Sequence, residues 1–293
     1  MPSHQGSDLV SRFLALEPVV KTTNSRISRP STVHPFATIE LFGLSFLDAP
    51  DEVSVAEHLA TADHAAIGEG VLPIVFTPNV DIIVQLERAK TRGLRERLAS
   101  AAYILPDGAP IVWTSRWAGS PLTARIAGST VFQNWWPRIA ADKRRVVVYC
   151  SSDSVKAGLE AEHPGAMVVV APMIDTSHEQ VDALAAQFVR DAVDADAEFC
   201  VVGVGHPKDP MIALSVIDQW PADRPMPLVL CLGASAEFYL GVKKRAPEWA
   251  QRHGLEWMVR FAQEPKRMFY RYFVRDLGFF PMAFREAWAR RNS

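Results

Sequence analysis

Residues 199–219 read FCVVGVGHPKDPMIALSVIDQ. An apolar run from Phe199 to Val204 passes through a glycine-containing turn into Pro210 to Gln219, where apolar residues return at helical spacing. A strand, a tight loop and a helix in direct succession make half of a β-α-β unit. The same unit recurs on both sides. Upstream, strands are predicted at Leu72–Phe76, Ala101–Leu105, Arg145–Cys150 and Ala166–Val170. Helices are predicted at Val80–Arg92, Thr130–Asp142, Ser154–Glu162 and His178–Val193. Downstream, Leu228–Leu232 reads as one more strand. Ahead of all these, Ile39–Leu47 alternates as a strand or hairpin, and Asp51 can cap a helix reaching Ala66. Strands that are apolar throughout, rather than at every second position, are covered on both faces. The expected class is therefore α/β: a mostly parallel sheet with helices on both faces.

The 293 residues, 48% of them apolar, suffice for one large core. Composition divides the chain three ways. Residues 1–37 are rich in Ser, Thr, Pro and His and read as a mobile tail, with Leu14–Val20 as a short docked segment. Residues 38–245 form the α/β body, and residues 246–293 a basic amphipathic helical appendage. Net charge is −2, which gives no general attraction to nucleic acid. The charge is uneven, however. From Lys243 onward there are twelve Lys/Arg and five Asp/Glu, a net +7, against 19 and 28 in the remainder, a net −9. A basic end on an acidic body suits an anionic partner. Cys150, Cys200 and Cys231 lie apart in apolar runs and read as reduced core thiols. No run reaches the ~18 apolar residues that span a bilayer.

In such a sheet, ligands bind where the strands end at their carboxyl side. Four loops there offer chemistry. Thr77-Pro78-Asn79 carries a hydroxyl and an amide, which serve a ligand or cap the next helix. Pro106-Asp107-Gly108 presents a carboxylate that suits a general base, although Asp-Gly is also a common turn. Gly203-Val204-Gly205-His206-Pro207-Lys208 can offer backbone N–H groups to a pyrophosphate. It lacks the third glycine of a dinucleotide fingerprint, and His206 reads as structural. The fourth loop follows Leu232. Asp194-Ala195-Asp196 matches a metal-holding pattern, but it precedes its strand and reads as a solvated loop. Near the C-terminus, Arg267, Arg271 and Arg275 recur every four residues beside Met268, Phe269, Tyr272 and Phe273. That is an ordinary docked amphipathic helix or a basic interfacial one.

In their order, these pieces resemble the WecG/TagA/CpsF family, glycosyltransferase family 26. The resemblance rests on Thr77-Pro78-Asn79, Pro106-Asp107-Gly108, Arg125-Ile126-Ala127-Gly128, Gly203 to Lys208, Arg245-Ala246-Pro247, Gly254-Leu255-Glu256-Trp257, Arg260, Glu264-Pro265 and Arg267. It runs from about Ile39 to Arg275. It implies inverting transfer from a UDP-sugar, often of N-acetylmannosamine type, to a polyprenyl-diphosphate-linked saccharide in cell-surface polysaccharide synthesis. It implies a Rossmann-like α/β fold with a C-terminal helical appendage, no cofactor and no required metal, and a cytoplasmic enzyme peripheral at the inner face of the membrane. Assembly into a homo-oligomer is left open. By this resemblance Asp107 is the base. Thr77, Asn79, Gly108, Arg125, Gly203, Gly205, Pro207, Lys208, Asp209, Glu237 and Arg245 bind substrate, with Thr77 and Asn79 holding the donor or the acceptor sugar. Arg260, Arg267, Arg271 and Arg275 meet the acceptor diphosphate or anionic lipid.

Two positions depart from the family pattern. Asp209-Pro210 stands where the family has Gln-Glu, and Ala236-Glu237 where it has Phe-Asp. An ionised carboxylate cannot donate as an amide does, so Asp209 is expected to change donor recognition. That departure also opens a non-enzymatic reading, a degenerate member that binds nucleotide-sugar or lipid as a scaffold. A nicotinamide-dependent oxidoreductase is a further alternative.

Overall fold

The computed structural model of the chain describes residues 34–64, 67–68, 70–88, 91–244, 258, 261–262 and 276–291. It opens with an antiparallel hairpin, β1 (Ala37–Leu41) and β2 (Leu44–Asp48). Phe42 and Gly43 between them both have positive φ, the two-residue turn that matches strand twist. Helix α1 (Glu52–Thr61) follows, with the Ser54 N–H donating to the Asp51 carboxylate at 2.7 Å. Next come β3 (Leu72–Phe76), α2 (Val80–Leu86), α3 (Arg92–Leu98), β4 (Ala101–Ile104), α4 (Ala109–Trp117) and α5 (Gly128–Ala141). The second half contains β5 (Val146–Cys150), α6 (Asp153–Glu162), β6 (Met167–Val170), α7 (His178–Asp194) and β7 (Phe199–Val202). It continues with α8 (Lys208–Gln219), β8 (Leu228–Cys231) and α9 (Ser235–Tyr239). A 3-10 turn, Asp276–Gly278, leads into α10 (Phe279–Arg291), the last described element.

The eight strands form one sheet in the order β1-β2-β4-β3-β8-β7-β5-β6, and every pairing except β1–β2 is parallel. Alternate residues of each strand serve opposite cores. In β5, Val147 and Tyr149 join the core made with α2, α4, α7, α8 and α10, while Val146, Val148 and Cys150 join the core made with α1, α5 and α6. This explains the unbroken apolar strands: neither face meets water. In α5, Val131, Phe132, Trp135, Trp136 and Ile139 fall on one stripe and are fully buried. Burial of a large side chain contributes roughly 2–3 kcal/mol, so the two tryptophans anchor that layer.

The α/β class expected from the sequence is the one observed. The long helix expected over 80–92 divides, however. The Thr91 hydroxyl contacts the carbonyls of Gln85 (2.6 Å) and Arg88 (2.9 Å), satisfying the end of α2 before α3 begins. Helix α4 was not anticipated. Residues 34–37, assigned to the tail, belong to the body: His34 is buried, its ring 5.3 Å from that of Tyr103. Residues 1–33 and the arginine helix expected over 267–275 lie outside the described residues.

Candidate functional site

Strand register brings the functional loops to one rim. Ile104 is level with Phe76, Phe76 with Cys231, Cys231 with Val202, and Val202 with Tyr149. The chain therefore leaves β4, β3, β8, β7 and β5 at the same height. Thr77, Asp107, Gly203 and Gly233 follow within one to three residues. Of the sites inferred from sequence, Thr77, Asn79, Asp107, Gly108, Arg125, the stretch Gly203–Asp209 and Glu237 gather along this edge.

Thr77 bridges two strands: its Oγ1 donates to the Cys231 carbonyl at 3.3 Å. Gly128, the first residue of α5, lies directly against it. Two residues on, the Asn79 Oδ1 accepts from the Ile82 N–H at 3.2 Å. The cap reading thus holds for the Asn79 oxygen, and its amide group is the part able to serve a ligand.

Asp107 is half-buried on the turn that starts α4, with its N–H donating to the Leu105 carbonyl at 2.9 Å. Gly108 is the N-cap of α4. The Ile126 N–H donates to the Pro106 carbonyl at 3.1 Å. That bond ties the Arg125 segment to the Asp107 turn, so a guanidinium and a carboxylate come from adjoining loops. Two further acidic groups support this corner. Glu52 accepts from the Ala127 N–H at 3.3 Å, and Asp48 from the Thr123 N–H at 2.7 Å.

The loop after β7 departs from expectation. Gly203 is packed so tightly that a Cβ there would stand 3.3 Å from the carbonyls of Gly233 and Tyr149. Gly205 has φ +94°, a left-handed conformation that glycine adopts without cost. The N–H groups of Val204 (2.9 Å) and Gly205 (2.6 Å) both donate to Asp209 Oδ1, and the Gly233 N–H donates to Oδ2 at 3.0 Å. Asp209 is 3% exposed. It was expected to meet the donor, yet it turns inward and is engaged by backbone donors. Likewise, the expected cradle of free N–H groups for a pyrophosphate is occupied at Val204 and Gly205 by the chain's own carboxylate. Burial pushes the Asp209 carboxyl up to about 7, against the lowering pull of these three N–H groups and Lys208.

Lys208 begins α8 at the mouth of this loop. The Ser177 hydroxyl and N–H hold the nearby Asp175 carboxyl below its ordinary range, with a smaller contribution from Lys208. The loop after β6 therefore approaches the same rim. Glu237, on α9, is buried; it accepts from the Ser151 hydroxyl at 2.6 Å and pairs with Lys243 at 2.5 Å. Cys150, Ser151, Gly203, Gly233 and Glu237 line a narrow recess there. Sequence reading missed Ser151. Its signal is a Ser-Ser pair ending the valine strand, where Ser152 caps α6 and Ser151 is left for another role.

Asp196 stands at the amino end of β7, on the opposite rim, paired with Arg145 at 3.4 Å. Among the described residues no group of three or more His, Cys, Asp or Glu side chains is placed to hold a metal ion. The three cysteines are buried and unpaired, as expected. Arg245, Arg260, Arg267, Arg271 and Arg275 lie outside the described residues.

A sequence model of the WecG/TagA/CpsF glycosyl transferase family matches residues 39–293, which covers the sheet, all the rim loops and α10. The chain belongs to the WecG/TagA/CpsF glycosyltransferase family. Individual relatives are similar over most of the same region. The N-acetylglucosaminyldiphosphoundecaprenol N-acetyl-beta-D-mannosaminyltransferase of Bacillus subtilis strain 168 is 28% identical over 205 residues, 69% of this chain and 75% of that protein. The enzyme of the same name from Bacillus spizizenii is 27% identical over 232 residues, 76% and 82% of the two chains. That of Staphylococcus aureus strain MRSA252 is 25% identical over 175 residues, 59% and 66%.

Proposed function

We propose that this chain transfers a sugar, of N-acetylmannosamine or related hexose type, from a UDP-sugar to a polyprenyl-diphosphate-linked saccharide, with inversion and without a metal. The observation that carries the reading is the meeting of the Asp107 turn and the Arg125 segment, through the Ile126–Pro106 bond, on the rim that also carries Thr77 and Lys208. In one in-line step the acceptor hydroxyl oxygen bonds to the anomeric carbon, the bond from that carbon to the UDP oxygen breaks, and the hydroxyl proton passes to Asp107. UDP leaves with the bonding electron pair. A positioned base contributes ~10²–10⁴-fold. Arg125, Lys208 and Arg245 stabilise the charge that grows on UDP, and Thr77 and Asn79 hold sugar hydroxyls.

The acceptor named for the relatives is a lipid, which favours work at a membrane surface. Consistent with that, α10 buries Phe279, Ala283 and Ala287 and leaves Phe280, Phe284 and Trp288 more than half exposed. Helix α4, packed beside it, exposes Trp113 and Trp117. Aromatic stripes flanked by arginine suit the headgroup region of a bilayer. No described helix is long and apolar enough to cross one.

The scaffold reading rests on Asp209-Pro210 in place of Gln-Glu; the internal bonds of Asp209 give that carboxylate a place in a built site and so favour the transferase. The oxidoreductase reading needs loop N–H groups for a dinucleotide pyrophosphate, and two of them are occupied. The deciding experiment is transfer across a panel of UDP-sugars to a short polyprenyl-diphosphate N-acetylglucosamine acceptor. One donor should be consumed with release of UDP and an inverted linkage. A chain that binds no UDP, or that binds NAD(P) instead, overturns the proposal.

A further inference from the structure

Two glycine loops form the floor beneath the proposed donor site, and one buried carboxylate joins them. The loop after β7 leads into Lys208; the loop after β8 leads through Gly233 into Glu237. Between them Asp209 collects three backbone N–H groups, two on Oδ1 and one on Oδ2. Val204 and Gly233, which it links, are 29 positions apart, yet the loops touch: a Cβ on Gly203 would stand 3.3 Å from the Gly233 carbonyl oxygen. Gly205 and Gly233 both have positive φ.

We propose that Asp209 is a positioning residue for sugar transfer, a clasp that fixes the two loops against each other and so holds Lys208 and Glu237 at their places in the donor site. The proposal rests on the reading of this rim as the donor site. Three converging N–H groups require a group that only accepts. A carboxylate meets that requirement on both oxygens, whereas an amide places an NH₂ against one of the N–H groups and leaves it unpaired. A buried carboxylate without such donors would not persist, so the loops and the carboxylate depend on one another. The carboxylate at 209 is therefore part of how this chain builds its site. It carries a second consequence: the Val204 and Gly205 N–H groups are withdrawn from the ligand, so recognition of the donor diphosphate falls to side chains, Lys208 first.

The test compares wild type, Asp209→Asn, Lys208→Ala and the double variant. Amide hydrogen exchange of the unliganded proteins reads the clasp directly. In wild type, the Val204, Gly205 and Gly233 amides should all be protected. In Asp209→Asn at least one should exchange about tenfold faster or more, the scale of one lost hydrogen bond. In transfer assays Asp209→Asn should raise KM for the UDP-sugar about tenfold while KM for the acceptor moves less than about twofold. Lys208→Ala should add little to that defect, because both act through one contact. If Asp209→Asn does not fold, wild-type exchange still decides: amides at 204, 205 and 233 that exchange as freely as an exposed loop overturn the clasp. Equal exchange in wild type and Asp209→Asn, or additive defects in the double variant, also overturn it while leaving the donor site standing. A wild-type chain with protected amides that binds no UDP overturns the donor-site reading, and the positioning role with it.

Discussion

Gly128 and Thr77 are in contact across the opening of the site. A Cβ on Gly128 would stand 2.9 Å from the Thr77 Cγ2 and 3.1 Å from its Oγ1. The glycine that ends the Arg125–Gly128 motif is thus required by its neighbour rather than by its own backbone angles. Gly128→Ala should displace Thr77, weaken its bond to the Cys231 carbonyl and cost about 1–3 kcal/mol as an overpacked site. Thr77→Ser deletes the nearer methyl group, so Gly128→Ala/Thr77→Ser should regain part of the lost stability. Thermal unfolding of the two single variants and the pair checks this. Full additivity would mean that the contact is slack.

Asp107→Asn should lower turnover by at least about 10²-fold while leaving the affinity for UDP within about threefold. The amide keeps the shape of the turn and cannot take the hydroxyl proton. Single-turnover transfer and UDP titration measure the two quantities separately. Turnover within about threefold of wild type would remove Asp107 as the base.

How far the sequence leads is visible in these two sites. Strands were legible because burial on both faces makes them continuous apolar runs, as in Val146–Cys150. The rim followed from them, because parallel strands deliver their carboxyl ends together. Helix α4 was hidden by its composition. Pro110 sits in its first turn, and Trp113 and Trp117 face solvent where polar residues would mark an outer face. The inward turn of Asp209 was not legible at all. It depends on Gly233, 24 residues away, and on which backbone N–H groups the two loops leave pointing inside. Ser151 was missed for the same reason: its partner Glu237 is 86 residues distant. Charge and spacing identify what a residue can do, while the partner that fixes its role comes from the fold.

Acid should destabilise the chain from a definite starting point. His58 is held down to about 4 by burial first, and then by the charges of His64 and His34; burial also lowers His34 and His64. Its Nε2 lies within hydrogen-bonding distance, 3.1 Å, of the Tyr103 hydroxyl. Between pH 4 and 6.5 the folded chain binds fewer protons at His58 than the unfolded one, so the His58 contribution to stability rises with pH there, while Asp209, raised to about 7, contributes with the opposite sign and is unchanged in a His58 variant. The His58 contribution is complete above about 6.5, the ordinary histidine value, and is lost as pH falls through about 4. With the ring only half-buried, its size is on the order of 1–2 kcal/mol. Urea unfolding at stepped pH should show this slope in wild type and a shallower one in His58→Gln. Identical slopes would place the acid sensitivity elsewhere.

The exposed face of α10 offers the clearest test of the membrane role. Deleting the C-terminus is a poor probe, because Phe279 packs on Phe42 with ring centroids 5.4 Å apart, and Ala283 and Ala287 are buried with it. Truncation would open the core and cause aggregation whatever the helix does in solution. Phe280, Phe284 and Trp288 are 60%, 67% and 64% exposed and recur every four residues, with Phe284 stacked on Trp288. Replacing all three with serine removes apolar area that the folded body does not use, so the unfolding temperature should stay within about 2 °C. If these side chains enter the headgroup layer, each contributes on the order of 1–2 kcal/mol to binding there, and partition onto vesicles should fall by about 10²-fold or more. Flotation with phosphatidylglycerol vesicles measures partition, and salt dependence separates the arginine contribution from the aromatic one. Transfer to a water-soluble short-chain acceptor should persist in the triple variant while transfer to a vesicle-embedded acceptor falls. Vesicle binding equal to wild type would assign membrane contact to another surface. A large drop in unfolding temperature would show instead that the stripe is covered by the chain itself.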